Sequence, residues 1–338
     1  MLIAIVYNDV GKNPAPDQRD VLVQVDAIRD ALITLGHEVE TIACTLDLSD
    51  VRDCLIKMSP EIVFNLVEDL ESYGNLIHLF PFLLDAMAIP YTGSCAESLL
   101  ITSNKAMAKE RMEKAGLPTP EWIGPYPATL PYSSRSNFLE RKTGVWIIKS
   151  VWEHASVGLD ENGLIQTPDP ELVHKAMKTR VTQLGGACFA ERFIDGREFN
   201  LSLLWGPKEV EVLPPAEIIF EGYGTEKPHI VDYRAKWDET SYEYHHTPRS
   251  FSFGSEDIIL ISELKRLAME CWKVFGLRGY ARVDFRVDTQ GRPWILEINS
   301  NPCLSPDAGF AAAAANAGIS YLDTIKRVLH DVLCRNDV

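Results

Sequence analysis

No apolar run in this sequence approaches the roughly 20 residues needed to cross a bilayer, and Met1-Leu2-Ile3-Ala4-Ile5-Val6-Tyr7 has neither the basic start nor the long apolar stretch of an export signal. The chain is expected to be neither exported nor held in a membrane. Positive charge is also scarce: 33 Lys and Arg stand against 48 Asp and Glu, for a net charge of -15. A surface of that sign does not neutralise nucleic-acid phosphates or anionic lipid, so neither partner is expected. A phosphate-bearing substrate would need a local basic pocket. Paired cysteines are absent: Cys44, Cys54, Cys95, Cys188, Cys271, Cys303 and Cys334 are scattered, and no two form a C-x-x-C. Most sit in apolar surroundings, where free thiols act as small core residues, which points to a reducing cytoplasm. A glycine-rich-loop signal is poor too, since Glu153-His154-Ala155-Ser156-Val157-Gly158 holds a single glycine. What remains is a chain long and apolar enough for two or three domains with cores.

The first ninety or so residues alternate strand-like and helical patterns. The apolar run Leu2 to Tyr7 precedes Val21, Val25, Ile28, Leu32 and Leu35, whose spacing marks one helix face ending at Gly36. Val39 to Ala43, a helix ending near Lys57, Ile62 to Val67, a helix from about Asn75 to Met87 and a short run ending at Tyr91 complete the series. Such alternation predicts a parallel sheet with helices on its faces, with ligands at the loops after Tyr7 and Val67. Ser103 can cap a helix from Asn104 to Ala115, and a Pro-, Tyr- and Ser-rich linker then leads to the strand Val145 to Lys149. Ala187 to Trp205 reads as two strands folded into a hairpin at Asp195-Gly196. The polar aromatic stretch 220–249 shows no clear period, as expected of a lid or binding loop. In it, adjacent His245 and His246 in a strand-like context point to opposite faces and suit a solvated pair better than a metal.

The densest chemistry lies between Arg282 and Asn299. Gly279 to Asp288 and Pro293 to Asn299 both alternate as half-buried strands, with Ala281, Val283, Phe285 and Val287, and Trp294, Leu296 and Ile298, assigned to the core face. If 289–292 is the loop, the register sets Asp284 opposite Glu297 and Arg282 opposite Asn299. Opposed carboxylates weaken a sheet unless something positive sits between them. Asp, Glu and Asn offer only oxygen, which suits Mg²⁺, an ion that completes its shell with water and substrate phosphates. On spacing alone, a solvated polar face explains the hairpin equally well. The tight polar loop Ser300 to Pro306 that follows favours a site.

Arg282-x-Asp284 followed by Leu296-Glu297-Ile298-Asn299-Ser300-Asn301-Pro302 resembles the C-terminal signature of the ATP-grasp superfamily, and nearly the whole chain resembles its D-alanine-D-alanine ligase branch. The further motifs occur in the branch's order: Ile89 to Ser94 with Ser103-Asn104-Lys105, Val145 to Lys149 with Ser156-Val157-Gly158, Glu191-Arg192-Phe193-Ile194 with Gly196 to Phe199, and Asp232 to Trp237. The resemblance implies an α/β fold, α+β in its C-terminal half, with a parallel-sheet domain at 1–94, a central ATP-grasp subdomain at 95–190, and a C-terminal subdomain at 191–338 carrying the hairpin and a mobile loop at 220–249. It implies ATP with two magnesium ions, or manganese in their place, held by Asp284, Glu297 and Asn299. Lys105, Lys149 and Ser156 would meet the phosphates, and Lys236 the γ-phosphate. Glu191, Arg192, Phe193 and Ile194 would hold adenine, Glu198 the ribose, and Arg282 the oxyanion. The implied reaction makes an acyl phosphate from a carboxylate and passes it to an amine, and the implied assembly is a homodimer. Taken singly, Lys105 could be a helix surface charge, Glu198 an edge-strand carboxylate and His154 an exposed imidazole. Lys149 ends an apolar strand where a charge needs a partner.

The substrate end departs from the branch. Its Glu, Ser and Tyr group is matched here by Asp20, Ala155 and Trp237, of which only Asp20 can bind an amine. Asn65-Leu66-Val67-Glu68-Asp69 replaces a His-Gly motif. Cys303 stands where a Gly helps form the oxyanion hole, and Asp307 lies in the stretch, after Asn301, that receives a carboxylate, which it would repel. The expected enzyme is a carboxylate-amine ligase for an amino acid or peptide other than D-alanine; an authentic D-alanine-D-alanine ligase and a non-catalytic ATP-binding regulator are the alternatives.

Overall fold

A computed structural model describes residues 1–127, 144–152, 158–160, 163–224 and 227–336. The chain opens with β1 (Leu2–Asn8), α1 (Pro16–Thr34), β2 (Glu38–Cys44), α2 (Leu48–Met58), β3 (Ile62–Leu66) and α3 (Leu79–Met87). The three strands form a parallel sheet in the order β2-β1-β3, with α1 and α2 as the crossovers that parallel pairing requires. Val21, Val25, Ile28 and Leu32 are all buried on α1, and Gly36 takes a φ of 86° just past its end. The run ending at Tyr91 is not a strand; it adds one parallel bridge to Val63.

Two helices follow, α4 (Ala96–Ser103) and α5 (Lys105–Lys114). The cap of α5 is Asn104, whose side chain accepts the Met107 N–H at 3.0 Å, and not Ser103, which closes α4. Both residue types cap well, and the break between the two helices selects the second. β4 (Trp122–Tyr126), β5 (Val145–Ser150), β6 (Leu164–Gln166), α6 (Pro170–Arg180) and β7 (Cys188–Arg192) then build an antiparallel sheet in the order β4-β7-β5-β6.

The last sheet uses β8 (Gly196–Trp205), β9 (Val210–Val212), β10 (Ala216–Ile218), β11 (Arg249–Ser250), β12 (Tyr280–Asp288) and β13 (Pro293–Asn299), in the order β11-β10-β8-β12-β13 with β9 also on β8. The hairpin expected at Asp195-Gly196 does not form, because β7 and β8 enter different sheets. Gly196 serves a close approach instead: at a φ of 144°, an added Cβ would lie 2.0 Å from the Val287 carbonyl oxygen. Between β10 and β11 stand two short helices, α7 (Tyr233–Trp237) and α8 (Tyr242–His245), capped by Asp232 and Ser241. They explain the missing period of 220–249, since neither is long enough to show one. His246 follows α8 and stacks on Tyr242 at 3.7 Å, with no metal-like pairing to His245. α9 (Ile258–Val274) packs under the sheet, and α10 (Gly309–Asn316) and α11 (Tyr321–Asn336) return to the N-terminal sheet. There Phe310, Val328, Leu329 and Val332 share one core with Ile3, Ile5 and Ile28.

The β12–β13 hairpin has the expected pairs Arg282–Asn299 and Asp284–Glu297, but a bulge shifts the register so that Phe285 meets Ile295. The extra residue is Leu296. Ile295 and Ile298 therefore enter the core, not Trp294 and Leu296, and Leu296 faces the same cleft as Glu297. The turn is tied by Asp288, which accepts the N–H groups of Gln290 and Arg292, the Arg292 Nε and the Trp294 Nε1 at 2.8 to 3.1 Å. Burial pushes the Asp288 carboxyl up, but these donors outweigh it and hold it down at about 2. An unfolded Asp titrates near about 3.9, so the stabilisation is complete above that pH and is lost as pH falls through about 2. Asp288→Asn is expected to cost on the order of 1 kcal/mol near neutrality. Denaturant midpoints should show the gap between the two proteins closing in acid; a gap constant with pH would rule out the charge as its cause.

Candidate active site

The four-stranded and six-stranded sheets wall a cleft lined by both charged and apolar side chains. Phe193 and Ile194, in the link from β7 to β8, line it with Leu296. Arg192 also lines the cleft, its guanidinium 4.3 Å from the Trp146 ring centroid and 3.2 Å from Glu121. Glu198, on β8, is paired at 2.8 Å with Arg286, its register partner on β12. Ser156 and Ala155 lie outside the described residues.

Three lysines reach the cleft. Lys105 opens α5, its backbone N–H bonded to the Val151 carbonyl, which sets it beside the end of β5. Its ammonium is 3.9 Å from Glu297. Lys149, on β5, lies 2.6 Å from Glu191; burial pulls its pKa down, yet Glu191 holds it above the ordinary lysine range. Lys236, on α7, is pulled below that range chiefly by burial, with the Arg282 charge adding to the effect and Glu297 opposing it. Glu191 is 1% exposed and also meets the buried Lys109 at 2.5 Å. Burial raises its pKa, but the two ammoniums outweigh burial and keep it low, so its carboxylate is ionised and held on both sides.

Asp284 and Glu297 face each other across the β12–β13 ladder and line the same cleft. Asp284 is 6% exposed; it accepts two bonds from Arg282, at 2.7 and 2.8 Å, and one from Asn200 on β8 at 2.9 Å. Arg282 and Lys105 thus supply the positive charge that opposed carboxylates require. Burial pushes the Arg282 pKa down, but Asp284 and Glu297 hold it above its ordinary range. The donor set on this ladder is all oxygen, two carboxylates and the Asn299 amide, and fits magnesium. Asn299 sits one pair along, opposite Arg282, where its Oδ1 accepts the Asn301 N–H at 2.9 Å. It lines a second, smaller cavity together with Glu68, Thr102 and Asn301. Among the described residues no cluster of three or more His, Cys, Asp or Glu side chains forms a metal site.

The substrate-end residues meet where α1 approaches the loop after β13. Asp20 accepts the Cys303 thiol at 2.8 Å on one oxygen and the Ser305 hydroxyl at 2.7 Å on the other. Burial, then the nearby Asp20 and Glu68 charges, push the Cys303 thiol up, so it stays protonated as a donor. Gln24, one turn along α1, binds the Leu304 N–H and Glu68. Asn301 accepts the Tyr280 hydroxyl at 2.7 Å and donates to the Val67 carbonyl. The contacts to Val67 and Glu68 fall just past the end of β3. Asp307 is not drawn in: it is exposed, and Arg249 contacts its carbonyl.

Arg286, Lys109, Asn200 and Gln24 are absent from the sequence reading of the site. Arg286 alternates with Arg282 and Asp284 on one face of β12, and Lys109 follows Lys105 by one helical turn, so spacing points to both.

The family model described as D-ala D-ala ligase C-terminus matches residues 112–330. The chain belongs to the D-alanine-D-alanine ligase family. Uncharacterized protein y4sG of Sinorhizobium fredii is 30% identical over 311 residues, 90% of this chain and 85% of that one. A D-alanine-D-alanine ligase of Moorella thermoacetica is 27% identical over 323 residues, 94% and 95% of the two chains. The crystal structure of a D-alanine-D-alanine ligase from Bacillus anthracis matches with a TM-score of 0.73 at 20% identity, covering 100% of this chain and 99% of that one. The fold is accordingly the ATP-grasp fold of the D-alanine-D-alanine ligases. Membership of the family makes the chain an ATP- and Mg²⁺-dependent ligase that forms an amide bond. No helix among the described residues is long and apolar enough to cross a membrane.

Proposed function

We propose that this ligase joins an amino acid or peptide carboxylate to an amine other than the D-alanine pair. The observation that carries this reading is the closure of Asp20 by Cys303 and Ser305. With both oxygens taken by uncharged donors, and Glu68 close by, the pocket presents acidic groups to its substrate and suits an ammonium better than a second carboxylate.

In this reading the carboxylate attacks the γ-phosphorus, ADP leaves, and the amine attacks the acyl carbon and expels phosphate. Lys105 and Lys149 hold the inner phosphates, and Lys236 approaches the γ-phosphoryl group. Phe193, Ile194 and Leu296 form the walls for adenine, while Glu198 keeps one oxygen for the ribose beside its pair with Arg286. Arg282, with two donors on Asp284, turns its other N–H groups toward the oxyanion. Asp284, Glu297 and Asn299 would hold the two magnesium ions, or manganese, which would neutralise charge on the transferred group. We further propose three units at 1–94, 95–190 and 191–338, β7 straddling the second boundary, in a cytoplasmic homodimer.

Phosphate release over a panel of D- and L-amino acids and dipeptides tests the substrate reading. Fast release is expected with a pair that excludes D-alanine. If D-alanine alone supports release as fast as the best pair, the altered-pocket reading fails and the authentic ligase stands.

A further inference from the structure

Lys109 has no part in the roles assigned above. It lies one turn after Lys105 on α5, is wholly buried, and does not line the cleft. Its ammonium is 2.5 Å from one oxygen of Glu191 and donates to the Thr119 hydroxyl at 2.8 Å. The other Glu191 oxygen faces Lys149 at 2.6 Å, and Lys149, with a side chain 19% exposed, does reach the cleft. Two lysines therefore share one carboxylate; burial pulls the Lys109 pKa down and Glu191 opposes it, and with both lysines protonated the trio carries one net positive charge.

The arithmetic of that trio matters to a phosphate. A desolvated lysine without a carboxylate tends to give up its proton, so Glu191 keeps Lys149 charged. A lone Lys149–Glu191 pair, however, would be neutral as a whole and would attract a phosphate only weakly. We propose that Lys109 is a positioning residue that neutralises Glu191 from the buried side, leaving the charge of Lys149 available to the phosphates of the nucleotide. The proposal rests on the reading that Lys149 meets phosphate in the cleft.

The test compares ADP with adenosine, measured by calorimetry on the full chain in the presence of Mg²⁺. Lys109→Met is expected to weaken ADP tenfold or more while adenosine changes little. Lys109→Arg, which keeps the buried positive charge, should hold the wild-type ratio of ADP to adenosine affinity. A packing role predicts instead that ADP and adenosine are weakened alike in Lys109→Met. That result, or a Lys109→Arg chain whose ratio falls as far as that of Lys109→Met, overturns the proposal. If Lys109→Met does not fold, Lys109→Gln takes its place and must show the same fall in the ratio. A wild-type chain that binds ADP no better than adenosine overturns the phosphate reading of Lys149 itself, and with it this inference.

Discussion

Asp284→Asn is expected to lower phosphate release about 10³-fold with little change in fold. The amide keeps the size of the carboxylate, and its oxygen can still accept from Asn200 and the Arg282 Nε, although its NH2 replaces the oxygen that accepted the Arg282 Nη2; the backbone ladder β8–β12–β13 survives. What disappears is one of two facing negative charges. In the proposed metal assignment magnesium would then meet a single carboxylate, while Arg282 and Lys236 lose a counter-charge. The loss should be partly recovered by raising Mg²⁺, and thermal unfolding should move little. Turnover within tenfold of the wild type at limiting Mg²⁺ would sink the metal assignment.

Arg282→Lys is expected to lower kcat by about 10² to 10³ while ATP affinity stays near that of the wild type. An ammonium cannot make the two parallel bonds Arg282 makes to Asp284 and still direct donors at a developing oxyanion. The two side chains also differ in titration. Arg282 is held above its ordinary range and stays charged at any working pH. A lysine at the same buried spot, close to Lys236, loses its proton more easily as pH rises, so the variant should acquire an alkaline fall in kcat. An equal loss in kcat and in ATP affinity, with an unchanged pH profile, would mean that Arg282 only holds the strand together.

The hairpin was readable from its residues because two clean alternations left one polar face, and a period of two fixes which carboxylates oppose. The bulge was not readable. Trp294, Ile295 and Leu296 are all apolar, so a one-residue slip leaves no mark in the pattern, although it decides which of them enters the core. Lys109 was hidden for a different reason: on a helix it looks like any surface charge, and its burial is set by Glu191 on a distant strand. The short α7 and α8 escape periodicity because their helical state is set by the side chains of Asp232 and Ser241 at their starts. Matched positions brought Asp20 and Cys303 onto one list, but spacing could not show them bonded.

That bond spans 283 positions. Asp20 is made 283 positions before Cys303, and the N-terminal sheet waits longer still for Phe310 and Val328 to cover the face of Ile3 and Ile5. During synthesis the nascent sheet thus shows a bare apolar face, which chaperones recognise. The Asp20–Cys303 contact thus closes only after every strand that walls the cleft has been made.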